Sequence, residues 1–361
     1  MRFWKWWLPL AAVVLVVVAA CCFPLLRSFY LLRGLRTADE STRASWAWAV
    51  AQLGPSAIEP LLAGLDNPAE ADSCAAALQE MAAHHIVPPS GLAEAIARVY
   101  ARQSPEGRSR GTQLVAQWIQ AYPEDASLHA SAVALLPICA QVESSDQWEA
   151  VLHLTLGVIS RPCDAGTLAI ARSLAQRGLS AESVPARVRA VTLCMQPALD
   201  LLPPLVPLLR DPAPEVRRAV VLALGPNPEA ISDEALLTCL HDSDQQVRQT
   251  ASSALIARGL QPEQVEMGRL LTHAQVRMRL QVLDRLPEVP DVDPLVWLSR
   301  LSEDRSPAVR AAAARALAGL PVSSGSDRLQ EMARSDPSPT VARIAQYYLA
   351  QRNRLRPASA P

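Results

Sequence analysis

Lysine is almost missing from this sequence. Lys5 is the only one, although Lys and Arg together number 34. Everything after residue 5 therefore lacks a Schiff-base lysine, a P-loop lysine and a lysine general base. There is no Gly-rich phosphate loop and no Gly-x-Ser-x-Gly nucleophile turn. Phenylalanine is scarce, with three copies, and no segment alternates apolar and polar residues for long enough to suggest a sheet. A surplus of one charge is also lacking. The formal net charge is −1, with both signs interleaved, whereas phosphate binding needs a concentrated basic stripe. Arg108-Ser109-Arg110 and Arg352-Asn353-Arg354-Leu355-Arg356 are too short to supply one and read as solvated. Nucleic acid is excluded as the main partner.

Metal chemistry finds no foothold either. His84 and His85 are adjacent, so on a helix their rings point in different directions. His129, His153, His241 and His273 are isolated, and none has a Cys or carboxylate at a ligand spacing. Cys74, Cys139, Cys163, Cys194 and Cys239 lie singly among apolar residues. Their odd number argues against a disulfide framework, and they read as small buried hydrophobes. The expectation is no catalytic, metal-binding or cofactor-binding residue, and no cofactor.

What is present is a repeated sentence. An apolar pair, an acid and then Val-Arg stand at Leu208-Leu209-Arg210-Asp211…Val216-Arg217, at Leu240-His241-Asp242…Val247-Arg248 and at Leu301-Ser302-Glu303-Asp304…Val309-Arg310. The valine recurs after 31 residues and then after a further 62, which leaves room for one unit between. After Val247 come Ala251, Ala254 and Leu255, at helical offsets on one face. Ahead of it, Leu236, Leu237 and Leu240 predict a shorter helix. Asp242, Ser243 and Asp244 form the turn and can start the second helix, and Gly259 closes it. Val220, Ala223 and Leu224 follow Val216, and Ala313, Ala316 and Leu317 follow Val309. Neither helix can bury its stripe alone, so successive pairs must stack. Weaker copies are read at Val188-Arg189, at Gln275-Val276-Arg277, at Asp336…Val341-Ala342-Arg343 and at Leu61…Asp66, where Asp72 replaces the Arg.

This pattern resembles HEAT repeats, including the bacterial repeats related to those of phycobilin lyases. The resemblance implies an all-α fold, an α-solenoid of stacked antiparallel helix pairs. It also implies an Asp/Arg ladder, in which each Arg meets the Asp of its own or the adjacent turn. The residues concerned are Asp211, Arg217, Asp242, Arg248, Asp304 and Arg310. Their recurrence in every clear unit marks them as structural, since a catalytic residue would occur once. Between His84 and Gly178 the motif fades, yet helices are predicted over 92–102, 111–121, 127–141, 147–159 and 167–176. They read as degenerate pairs of the same array, with a separate helical insert as the alternative.

The amino terminus differs. Trp6 to Leu26 is 21 residues without a charge, about 31 Å as a helix against a bilayer core of roughly 30 Å. Trp4, Trp6 and Trp7 suit one interface, and Arg27, Phe29, Tyr30 and Arg33 the other. An uncleaved single-pass anchor is expected. The competing reading is a lipoprotein signal, with Val18-Ala19-Ala20-Cys21 resembling a lipobox and Cys21 carrying the lipid. Arg2 and Lys5 would hold the start inside a bacterial cytoplasmic membrane, whereas Arg27, Arg33 and Arg36 pull the other way. The balance leans to an extracytoplasmic array.

The expected layout is an anchor over 1–36, degenerate repeats over 37–178, clear repeats over 179–351 and a disordered tail over 352–361. The expected function is a membrane-tethered, non-enzymatic scaffold or adaptor for another protein, with Arg218 and Gln249 on the partner surface. A bilin-lyase-related enzyme and a structural element of an envelope assembly are the alternatives.

Overall fold

A computed structural model of the protein describes residues 26–142, 144–289, 292–321 and 325–355. The expected membrane helix, apart from Leu26, and Cys21 lie outside them. Among the described residues no helix is long and apolar enough to cross a membrane. Every regular element described is helical, and the chain divides into two compact units, residues 1–205 and 206–361.

The first unit begins with α1, described over 26–36. After it come α2 (Arg43–Ala51), α3 (Ile58–Gly64), α4 (Ala71–Ala83), α5 (Pro89–Val99) and α6 (Pro105–Ala121). Then follow α7 (Ala126–Cys139), α8 (Ser145–Ile159), α9 (Ala165–Gly178) and α10 (Val184–Cys194). Odd helices pack on odd and even on even: α3 on α5, α5 on α7 and α7 on α9, against α2 on α4, α4 on α6, α6 on α8 and α8 on α10. The result is two helix layers sharing one apolar seam. Leu61, Leu78, Leu92, Ile96, Leu135 and Leu154 fill it completely buried. The five helices predicted between His84 and Gly178 are all present: α6, α8 and α9 run longer than predicted, α5 lies three residues earlier and α7 ends at Cys139.

The second unit holds α11 (Pro214–Leu224), α12 (Asp233–Cys239), α13 (Gln245–Ala257), α14 (Pro262–Leu271) and α15 (Val276–Arg285). It continues with α16 (Pro294–Leu301), α17 (Pro307–Gly319), α18 (Ser326–Ser335) and α19 (Pro339–Leu355). A 3-10 stretch, Pro203–Arg210, takes the place of a first helix ahead of α11. Again the second helices pack in series, α11 on α13, α15 on α17 and α17 on α19. Prolines open α11, α14, α16, α17 and α19, where a missing N–H costs no helical bond.

In the unit read from sequence, α12 buries Leu236 and Leu237, and Leu240 just after it is buried too. Asp244 then caps α13 by accepting from the N–H groups of Gln246 and Val247 at 2.8 and 3.0 Å. Gly259 ends the unit at φ +101°, a conformation that a side chain resists. Gly225, which follows α11, instead keeps φ −50°. Its reason is space, since an added Cβ would lie 2.8 Å from the Cβ of Ala254 on α13.

Two weak copies were read two residues out of register. In α15 the buried face is Met278, Val282 and Leu286, not Val276, which is exposed. In α10 it is Ala186, Ala190, Leu193 and Cys194. Both sequences carry a decoy Val-Arg just after or before the true position. A further difference lies at the carboxyl end. α19 runs on to Leu355, past the point at which a tail was expected to begin. Arg352, expected in solvent, is buried, and its guanidinium donates to the carbonyls of Leu317, Leu320 and Pro321.

Candidate functional site

Two features of the second unit concern the residues singled out in the sequence. One is the arginine ladder. The Nη1 group of Arg217 donates to the carbonyl of Asp211 at 2.8 Å, inside its own turn. Its other edge reaches the next repeat, where Nε and Nη2 grip the Asp242 carboxylate at 2.7 and 2.6 Å. Arg279 grips Asp304 in the same way, at 2.6 and 2.9 Å. Arg310 holds Asp336 at 2.9 Å through both donors. Of the two partners the resemblance allows, the side-chain bond thus goes to the adjacent repeat, and the bond to the home turn goes to backbone. The pairs Asp211–Arg217, Asp242–Arg248 and Asp304–Arg310 are not side-chain ion pairs.

Each aspartate does two jobs. Oδ1 also accepts the N–H two residues on: Ala213 for Asp211, Asp244 for Asp242, Ser306 for Asp304 and Ser338 for Asp336, all at 2.7–2.8 Å. Bidentate arginine–carboxylate geometry is the strong form of a charged hydrogen bond. The bond from Arg217 holds the Asp242 carboxyl below the usual carboxylate range, and the bond from Arg310 does the same for Asp336. Arg279, which the sequence reading missed, and Asp336, read there only as the Asp of a weak copy, both belong to the ladder. Arg279 follows Met instead of Val, and Asp336 has no Arg at the matching place in α19.

The other feature is a cleft of about 430 Å³ between α11 and α13. Arg218 and Gln249, named from the sequence as partner-surface residues, both line it, with Val221, Leu222, Gln246 and Thr250. Arg218 donates to the Gln246 side chain across the mouth. Leu222 on the floor is 54% exposed, an apolar side chain that the unit itself leaves uncovered. The helices place these residues on the side away from the buried stripe, which explains their coming together: Arg218 follows Val216 by two, and Gln249 follows Val247 by two.

The sequence pattern that defines HEAT repeats matches residues 168–256 and 268–355. The chain is a HEAT-repeat protein. No curated protein matches it. Among solved structures it is similar to the crystal structure of an engineered protein, at 18% identity and a TM-score of 0.40, over 90% of this chain and 98% of that one. A likeness at that level carries no argument.

The remaining candidates take ordinary places in the helix pairs. Burial pushes the Cys139 thiol up to about 12 and those of Cys74, Cys194 and Cys239 up to about 11, and it raises that of Cys163. Such thiols stay protonated and are poor nucleophiles at neutral pH. Among the described residues no three His, Cys, Asp or Glu side chains stand where they could share a metal ion. His84 lies edge-on to Trp48 with ring centres 4.5 Å apart, and His85 packs against Tyr122 at 5.8 Å. His129 meets the carbonyl of Val158 at 2.8 Å. His153 is held toward its neutral form by burial.

Proposed function

We propose that this HEAT-repeat protein is a membrane-anchored, non-enzymatic scaffold or adaptor that binds another protein along its helix pairs. The observation that carries the reading is the cleft between α11 and α13. Its uncovered Leu222 and its polar rim of Arg218, Gln246 and Gln249 match the apolar core and polar border of a protein interface. The ladder residues offer a poor alternative as a reacting centre. Arg217, Arg279 and Arg310 have both edges occupied by bonds that hold turns together.

The uncharged run from Trp6 to Leu26 supports the anchor. So does α1, on which Leu26, Phe29 and Tyr30 are each 65% exposed beside Arg27 and Arg33. Exposed aromatics among arginines suit the boundary of a bilayer better than open water. The extracytoplasmic side remains the favoured placement, and a lipid on Cys21 the alternative form of attachment. Confinement to a membrane would raise the effective concentration of the scaffold toward membrane partners.

Photo-crosslinking in intact cells tests the reading, with the crosslinker placed in turn at Leu222 and at Gln249. One protein captured from the membrane fraction at both positions is the expected result. Captures that are absent, or spread evenly over many proteins, would remove it. Cys21→Ser in the same cells should leave the chain in the membrane fraction; release would favour the lipidated form.

A further inference from the structure

Three of the four forks in the second unit close on a carboxylate, and the fourth does not. Arg248 is fixed like the others, its Nη1 donating to the carbonyls of Asp242 at 2.7 Å and Ser243 at 3.0 Å. Those bonds repeat the ones that Arg217 makes to Asp211 and Pro212. They also match the bonds of Arg279 to His273 and Ala274. Yet the Nε and Nη2 edge of Arg248 has no acceptor among the described residues, and Arg248 is only half-buried.

The reason is a substitution at the partner position. The residue 31 after Asp242 is His273. Its Nδ1 accepts the N–H of Gln275 at 3.0 Å, the very bond that Asp242, Asp304 and Asp336 accept through Oδ1. The imidazole therefore stands in for the aspartate as a cap. A neutral ring that accepts at Nδ1 carries its proton on Nε2, which makes that atom a donor. Where every other rung sets an acceptor against two arginine donors, this one sets donors against donors.

Two arginines stand near the gap, in surroundings that also hold Glu234 and Glu303. Arg305 donates to the carbonyl of Ala274 at 3.0 Å, and Arg277 is exposed three residues further on. Of the nearby acids, Asp242 is already held by Arg217 and Asp244 is committed to capping α13. Glu303 shares a recess of about 580 Å³ with His273 and Arg305. It also lies within 3.3 Å of Arg328.

We propose that Arg248 and His273 form a binding site for the carboxylate of an acidic segment of a partner protein, a proposal that rests on the scaffold reading. The incoming Asp or Glu would complete the rung, taking the place that Asp242, Asp304 and Asp336 fill elsewhere. A carboxylate fits because the same fork on three neighbouring repeats already holds one in two-point contact. An acidic segment fits better than a single small acid because Arg277 and Arg305 extend the positive surface beyond the fork.

The test uses the full chain in detergent micelles and a fluorescent oligoglutamate peptide, with oligoglutamine as the neutral control. Saturable binding of oligoglutamate alone is expected. Arg248→Gln and His273→Asp should each weaken it by about tenfold or more, the size of one lost two-point charged contact. His273→Asp should also raise the melting temperature by about 2–4 °C, because the rung closes within the chain. Equal peptide affinity in the natural chain and both variants would overturn the proposal. So would an unmoved melting temperature in His273→Asp, a variant that keeps the arginine and does not depend on the fold surviving its loss. Displacement of the peptide by free glutamate at equal carboxylate concentration would overturn the partner segment in favour of a small acid. Stronger competition by inorganic phosphate would overturn the carboxylate itself. Crosslinks at Leu222 that persist while peptide binding fails would sink this site and leave the scaffold standing. The reverse outcome would sink the scaffold and leave the site.

Discussion

The two units are built from the same part, a helix pair with one apolar seam, yet they tie successive pairs together differently. In the second unit the ties are charged and periodic: Arg217 to Asp242, Arg279 to Asp304 and Arg310 to Asp336. In the first they are irregular, with ion pairs such as Arg36–Glu70 and Arg189–Glu149 beside hydrogen bonds to neutral groups. Asp66 accepts from the N–H and hydroxyl of Ser104 at 3.0 and 3.1 Å, and Gly107 leaves room for its carboxylate because any Cβ there would collide with it. Gln103 donates to the carbonyl of Leu62, Arg110 to that of Leu65 and Gln147 to that of Pro105. Stacking thus demands only that the turn of one pair hold the next. It does not dictate the chemistry. That is why the repeat signature can vanish between His84 and Gly178 while the helices persist.

The sharpest way to break this comparison is to remove one charged tie. Arg279 is 3% exposed, and its only carboxylate partner among the described residues is Asp304. Asp304→Ala would leave a buried guanidinium edge uncompensated, a loss of about 3–5 kcal/mol. Hydrogen exchange should locate the damage in α15 and α17. A loss below about 1 kcal/mol would mean that water replaces the carboxylate and that the ladder adds little.

Acid acts on several rungs at once. The carboxyls of Asp242 and Asp336 are depressed in the folded chain by their arginines. Their stabilisation is therefore complete above the unfolded carboxylate value of about 4 and is lost as pH falls through the lower folded value. In the first unit the depressed carboxyls, Asp39 in the turn before α2 and Asp164 at the cap of α9, are exposed, and hydroxyl groups of Thr42 and Thr167 hold them. Exchange protection should consequently fail in the second unit first when pH is lowered below about 4. Simultaneous loss in both units would remove the distinction drawn here.

Replacing a tie to a neutral partner should cost less. Asp66→Ala removes two hydrogen bonds to a half-buried cap, about 1–2 kcal/mol. Thermal melts of the Asp66 and Asp304 variants side by side measure the difference directly. If Asp66→Ala proved the more damaging, irregular ties to neutral partners would be the stronger kind.

How far sequence could foresee all this depends on the distance over which each feature acts. The helix pair of α12 and α13 was readable because its stripe, cap and closing glycine all fall between Ser232 and Gly259. The direction of the ladder was not. Arg217 and Asp242 are 25 residues apart, and nothing within either turn says that the fork leans forward. Register failed where composition misled: Met278 fills the valine position of α15, and Val276 offered a false match. The significance of His273 was hidden for the same reason, since it looks isolated until the register places it opposite Arg248. Arg218 and Gln249 were reachable because a residue two places beyond a buried valine must face outward on a helix.

The smallest effect should be the one that does not separate the units. Gly54 in the first and Gly259 in the second have positive φ, +66° and +101°, and neither would meet an atom within 4 Å if a Cβ were added. Alanine at either site is therefore strained by backbone conformation alone, by about 1 kcal/mol at Gly54 and up to about 2 kcal/mol at Gly259. Asparagine at Gly54, which tolerates the left-handed region, should recover part of that loss. Thermal melts of the single variants check both values. A loss at Gly54 several times that at Gly259 would show that turns, like ties, differ between the units. Comparable small losses would confine the difference to the groups that bridge one helix pair to the next.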